Sequence, residues 1–209
     1  HTNKGAKMGF DLNGLAPKGA TIPRPTRPEP EIVGKDKWKY DKKELEEYHN
    51  KFDKWQEQSG TYFRNNVWWW RPLAEYVLKY TKVIPNTKKH REGWNTNSGY
   101  QVSNRYAEEI AKQLKFLIDT GHTKKFQTDY MKEFVKAEKF NEGVQKEMDK
   151  LNNLPRNKDL APCNYNKKDK KEWDRLYAKQ KLIASYPFSV KNVEEFMDFC
   201  NKSGGFEIC

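Results

Sequence analysis

Three adjacent tryptophans, Trp68, Trp69 and Trp70, constrain this chain more than any other feature. They lie in the stretch FRNNVWWWRPL at residues 63–73. In a strand, Trp68 and Trp70 would point one way and Trp69 the other. On a helix they would fan out by about 100° each. No regular conformation puts all three indoles on one side. The segment is therefore either covered from more than one direction, or one indole lines a surface or pocket.

The neighbours of these indoles favour a ligand contact. Arg64 and Arg71 carry guanidinium groups, which stack on aromatic faces and fork onto phosphate oxygens. Asn65 and Asn66 each offer a donor and an acceptor, which suits the edge of a polar ring. Aromatic plates beside guanidinium groups make a receptor for a base attached to phosphate, and base–aromatic stacking contributes roughly 1–3 kcal/mol. A structural role for the same indoles, as core, stands beside that reading. A second patch, Trp94, Asn95, Asn97 and Tyr100, precedes the expected helix cap Ser103. The free amides of that helix start suit an anion.

Composition narrows the class of partner. The chain has 209 residues and a formal charge of +11, and it is 35% hydrophobic and 33% charged. With so few aliphatic residues, the core must lean on the 14% that are aromatic. The positive surplus suits nucleic acid, nucleotides or an acidic protein surface. The run at residues 79–91 holds Lys79, Lys82, Lys88, Lys89 and Arg91 without an acid, and Lys167, Lys168, Lys170 and Lys171 form another cluster. If the two converged they would track a phosphate backbone. Homo-oligomer formation through exposed indoles is a further class of contact.

Helical periodicity dominates the rest. Asp41 and Glu44 have capping-box spacing, followed by Leu45, Tyr48, Phe52 and Trp55 on one face. Pro72 suits the first turn of a second helix with Leu73, Tyr76, Val77 and Tyr80 as its stripe. Residues 86–100 read as a loop. Ser103 caps a helix with Ala107, Ile110, Ala111, Leu114, Leu117 and Ile118 at helical spacing, stopped by Gly121. Thr128 opens a longer helix that Gly143 kinks or breaks. After a loop at 155–168, Asp169 and Glu172 repeat the capping-box spacing. Pro187 opens a last helix, with Val193, Phe196, Met197 and Cys200 on one face and Gly204 and Gly205 at its end. Residues 8–12 and 206–209 form a short strand pairing.

The predicted architecture is thus mainly α, or α-rich α+β, with about six helices in one compact domain and at most a small strand pairing. Residues 1–40 form an extended, basic, Pro-rich arm, because IPRPTRPEPE at 22–31 sets proline at near-alternate positions. Residues 41–209 form the single helical domain. His1 reads as a cloning remnant.

Motifs for turnover do not emerge. His49, His90 and His122 are scattered, with no H-E-x-x-H or C-x-x-C spacing, no nucleophile elbow and no phosphate loop. Triplets such as Asp41-Lys42-Lys43 and Asp169-Lys170-Lys171 are explained by capping. The expectation is no catalytic residue, no metal and no cofactor. Three cysteines, Cys163, Cys200 and Cys209, few and odd in number and without a C-x-x-C pair, together with no visible secretory signal, suggest a reducing cytoplasm. No apolar run approaches the roughly 20 residues needed to span a bilayer, so no membrane partner is expected.

The segments MGFDLNGLAPK at 8–18, FRNNVWWWRPL at 63–73, GYQVS at 99–103 and SGGFEIC at 203–209 together resemble a family of small uncharacterised phage and prophage proteins. The resemblance covers about half the chain and omits residues 20–58, which marks the Pro-rich arm and the residues 41–58 helix as an insertion. The family brings no established activity. It implies a phage context in the host cytoplasm, where small proteins without enzyme motifs block host machinery, one group by sequestering the nucleotide signals of bacterial immunity. The expectation is a non-enzymatic protein that binds a small anionic nucleotide-like ligand through Arg64, Asn65, Asn66, Trp68, Trp69, Trp70, Arg71, Trp94, Asn95, Asn97 and Tyr100. The alternatives are a sequence-nonspecific nucleic-acid binder and an inhibitor of an acidic host protein.

Overall fold

A computed structural model describes residues 9–34 and 37–209. His1, and Met8 of the expected first strand, lie outside the described residues. The protein is mainly helical with a small antiparallel sheet. Its residues group into two compact units, one of residues up to Gly121 together with Val190–Cys209, the other His122–Ser189.

The first unit is organised by strand alternation. β1 (Gly9–Gly14), β4 (Tyr62–Asn66), β5 (Tyr100–Ser103) and β6 (Gly205–Ile208) form a sheet in the order β4-β1-β6-β5, every pair antiparallel. The expected pairing of the chain's two ends is present, with Leu12 opposite Ile208 and paired bonds between the Asp11 and Cys209 backbones. β4 and β5 enlarge it to four strands. Residues 9–14 are thus an inner strand rather than part of an arm. Because side chains alternate across a strand, Phe10, Leu12, Phe63, Val102, Phe206 and Ile208 share one face. Five of these six are buried and Phe63 is partly so.

Four helices pack on this sheet or on one another. α2 (Val67–Tyr80) and α4 (Asn104–Asp119) lie against strands of the sheet, α4 packs on α7 (Val190–Lys202), and α3 (Lys88–Asn95) contacts α2. α4 buries Ala107, Ile110, Ala111 and Leu114, the helical stripe read from sequence. Ser103 caps it by accepting from the Tyr106 amide. At the reversal from α7 into β6, Gly204 has φ +63, and a Cβ there would lie 2.0 Å from the Ala16 carbonyl oxygen. Only glycine fits that crossing.

The Pro-rich stretch lies on this unit without joining its sheet. The amides of Thr21 and Ile22 donate to Gln58 Oε1, Arg24 stacks over Trp55 at 5.5 Å, and Arg27 over Tyr40 at 5.2 Å. A two-stranded ribbon of β2 (Glu31–Gly34) and β3 (Lys37–Lys39) follows it. α1 (Lys42–Gln56) then starts where expected, with Asp41 accepting from the Lys43 and Glu44 amides and Trp55 as its buried residue.

Several helix boundaries differ from expectation. α2 begins five residues before Pro72, because Asn66 caps it by accepting from the amides of Trp68 and Trp69 at 3.1 Å. Pro72 therefore sits inside the helix, where it cannot donate to the carbonyl four residues back. α3 occupies part of the stretch expected to be a loop. Its apolar signal is only Trp94, and Gly93 is needed because a Cβ would meet the Tyr100 ring at 2.2 Å. The count among the described residues is therefore seven helices.

The second unit is built on α5 (His122–Asn152) and α6 (Lys167–Lys179), with short 3₁₀ turns at Pro162–Asn164 and Leu182–Ser185. Val144 and Met148 of α5 and Leu176 of α6 form its core, with Leu151 and Trp173 against them. A second contact gathers Phe126, Tyr130 and Phe188, with rings 4.8–5.8 Å apart. α5 starts directly after Gly121 and runs unbroken through Thr128 and Gly143. Thr128 is an interior residue whose hydroxyl donates to the Lys124 carbonyl. Neither kink nor break occurs at Gly143, which faces open space.

Asp169 is likewise not a cap. Asn166 caps α6, accepting from the amides of Lys168 and Asp169. The Asp169 carboxylate, buried in the first turn, accepts from Arg156 Nε at 2.7 Å and Nη2 at 3.1 Å and from Asn166 Nδ2 at 2.8 Å. The bond from the Arg156 guanidinium, the largest influence, holds its pKa down at about 2 against an ordinary 3.8.

Two predictions follow from these helices. Gly143→Ala adds a methyl group at an exposed helix interior with nothing within 4 Å, so it should stabilise the protein by about 0.5–1 kcal/mol, measured as a higher urea midpoint with an unchanged slope. A depressed carboxyl pKa stabilises the folded state above the unfolded value and loses that contribution as pH falls through the folded one. Asp169→Asn should therefore lower the melting temperature at neutral pH, with the gap from wild type closing between pH 3.8 and about 2. Melting curves across that range check it.

Candidate functional site

The strand-to-helix junction at residues 62–71 divides its side chains between three environments. Trp68 is 45% exposed, Trp69 is partly buried, and Trp70 is 0% exposed. Helical fanning is what separates them, as the geometry of adjacent indoles requires. Trp70 stacks on Phe10 at 5.4 Å and on Trp94 at 5.7 Å, with Phe196 edge-on at 5.8 Å. Its indole N–H donates to the Trp94 carbonyl at 2.8 Å. Trp94 is also fully buried, against Phe196 and Phe206.

These placements correct part of the expected ligand set. Trp70 and Trp94 are core residues that a ligand would reach only by unpacking the unit. Asn66 serves as the helix cap. Asn65 donates from Nδ2 to Asn192 Oδ1 at 2.9 Å, and Asn192 donates onward to the Trp69 carbonyl. Asn95 donates to the Arg91 carbonyl within its own helix. Tyr100 is partly buried, its hydroxyl hydrogen-bonded to His90 Nδ1, and burial raises its pKa.

The two stretches singled out from sequence do meet, at Gly9. Asn97 Nδ2 donates to the Gly9 carbonyl at 2.7 Å, and Gly9 pairs with Asn66 across β1 and β4. Arg64 lies over the same glycine, its Nε 3.5 Å from where a Cβ would stand. Arg64 is 49% exposed and faces Asp11, Nε to Oδ1 at 3.4 Å.

Asp11 and Tyr62 belong to this polar face and escaped the sequence reading. The Tyr62 hydroxyl donates to Asp11 Oδ1. Burial first, and that carboxylate second, push the Tyr62 pKa up to about 12. Period-two alternation of Gly9, Asp11 and Asn13 against Asn66, Arg64 and Tyr62 was the signal available. Farther along, Asn13 Nδ2 donates to the Cys209 thiol at 3.7 Å, and Glu207 stands 4.0 Å from Arg24. Burial raises the pKa of Cys209 and of the fully buried Cys200, so both favour the thiol. All three cysteines are free. Among the described residues no group of three or more His, Cys, Asp or Glu gathers as a metal site would require.

The basic residues of the nucleic-acid alternative are exposed in both clusters. Lys79, Lys82, Lys88, Lys89 and Arg91 belong to the first unit, and Lys167, Lys168, Lys170 and Lys171 to the second. Among the described residues no helix is long and apolar enough to cross a membrane. No family model, curated protein or solved structure matches the chain.

The three indoles can be separated experimentally. Trp70→Ala should cost about 3–5 kcal/mol, as for large aromatic truncations in cores. Trp68→Ala should change stability by under about 1 kcal/mol. Urea denaturation of the two variants checks both, and equal losses would refute the division between core and surface.

Proposed function

We propose that this protein binds a small anionic, nucleotide-like ligand and does not turn it over. The observation that carries the reading is the pairing of exposed Trp68 with exposed Arg71, three residues apart on α2 and so neighbours on one helix face. An indole beside a guanidinium suits a flat base joined to phosphate. Arg64, half-exposed on the strand leading into that helix, and the surplus of +11 add to the attraction for an anion. The resemblance to phage proteins supplies the biological side of the proposal: sequestration of a host immune nucleotide in the cytoplasm, a sponge rather than an enzyme.

The test is native mass spectrometry of the protein after incubation with a nucleotide panel, then titration calorimetry on the retained compound. Trp68→Ala and Arg71→Ala should each weaken binding by about tenfold, the scale of one stacking or charge-assisted contact, with normal melting. Undiminished binding in both variants would overturn the assignment.

A second reading is favoured by the uniform exposure of Lys79, Lys82, Lys88, Lys89 and Arg91. These residues suit nonspecific contact with a nucleic-acid backbone. In that case log affinity falls by roughly 0.7–0.9 per log unit of salt for each phosphate neutralised. A flat salt response excludes it. The acidic-protein partner rests on net charge alone.

A further inference from the structure

We propose a second anion site, independent of the Trp68 face, in the groove between the end of α2 and the first turns of α4. It is matched to a phosphorylated compound carrying a flat ring. The groove encloses about 640 Å³, within the range typical of small-molecule sites. Its wall after α2 is formed by Thr81 and Lys82, and its wall on α4 includes Arg105, Tyr106 and Lys112.

Charge in the groove is unevenly used. Glu108 also lines it, but accepts from Lys18 at 2.7 Å and from Asn104 at 3.3 Å, and the Lys18 bond lowers its pKa. Glu109 accepts from Gln113 at 2.7 Å and faces Lys112 at 3.8 Å. Both carboxylates are thus balanced by Lys18 and Lys112. Lys82 and Arg105 remain without a carboxylate partner among the described residues. Tyr106, 39% exposed, offers a ring beside them.

Lys82 also has a backbone that lysine does not favour. Its φ is +56, in the left-handed region, one residue past the helix cap Thr81. That position commonly takes glycine or asparagine, and a side chain there carries a steric cost. The turn itself is held by Thr81, which is buried, donates to the Val77 carbonyl at 2.8 Å and accepts from the Val83 amide. Glycine would satisfy this backbone better. What lysine adds is an ammonium group at the groove, and an outlier retained against its conformational cost is a pointer to function.

The site is distinct from the Trp68 face by distance. Fourteen residues separate Trp68 from Lys82, about 20 Å at helical rise, farther than one nucleotide reaches. Calorimetry with ADP, pyrophosphate and adenosine tests the proposal on wild type, Lys82→Gly, Arg105→Ala and Tyr106→Ala. ADP and pyrophosphate should bind wild type, and adenosine far more weakly. Lys82→Gly should lose about tenfold in affinity for both anions while its melting temperature rises by about 2–4 °C. Arg105→Ala should lose a similar factor, and Tyr106→Ala should weaken ADP but not pyrophosphate. No binding of either anion to wild type at millimolar concentration overturns the site, as does wild-type affinity in Lys82→Gly. Loss of ADP binding in Arg71→Ala together with full binding in Lys82→Gly would overturn this groove and support the Trp68 face instead.

Discussion

Trp70 is clamped between Phe10 and Trp94, with stacking distances of 5.4 and 5.7 Å. That contact ties together three pieces of chain remote in sequence: an inner strand, the helix after β4 and the short helix α3. Phe196 of α7 closes the stack edge-on against both indoles. Buried aromatic rings remove roughly 150–250 Å² each from water, which is how a chain only 35% hydrophobic assembles a core. α3 depends on this most directly, since Trp94 is its one large buried side chain. The Trp70 N–H bond to the Trp94 carbonyl and the His90–Tyr100 contact add to the hold that Trp94 packing gives that helix.

Committing Trp70 inward fixes what its neighbours do. The cap at Asn66 sets the helical phase, and a phase that buries Trp70 turns Trp68 outward. The exposed indole is therefore a consequence of core packing as well as the basis of the proposed ligand face. A substitution at Asn66 would disturb both together, which makes it a poor probe of binding. On the strand before it, alternation puts Phe63 into the core against Phe196 and Phe199 and leaves Arg64 beside Asp11.

What the sequence made legible follows from where periodicity was strong. Ile110, Ala111 and Leu114 announce α4, and Asp41 announces α1, because each carries a regular stripe or a cap of standard spacing. The strands were harder. The pairing of the two ends was expected, but β4 and β5, of five and four residues, are too short for alternation to stand out. α3 was missed because a single tryptophan makes no stripe, and Asp169 was misread because its true partner, Arg156, lies thirteen residues upstream in a loop. In the candidate site, the inability of three indoles to share a face was readable. Which indole is exposed was not, because that depends on the cap position and on Phe10, more than fifty residues away.

Charge, which first suggested an anionic partner, is the least selective part of the molecule. Many of its acids sit in helical pairs at i,i+3 or i,i+4, such as Lys115–Asp119, Lys136–Glu133, Lys170–Asp174 and Lys191–Glu195. Exposed pairs of this kind contribute about 0–1 kcal/mol each and are screened by salt. They mask cations along the helices without defining a site. Discrimination between ligands has to come from places where a cation lacks a carboxylate and a ring stands beside it, because stacking and directed hydrogen bonds survive salt better than net charge does. Lys82 and Arg105 beside Tyr106 meet that condition, whereas Arg64, already facing Asp11 at 3.4 Å, meets it only in part. An anion arriving at Arg64 must compete with a fixed carboxylate, so in the proposed α2 face Arg64 adds less than its exposure alone suggests.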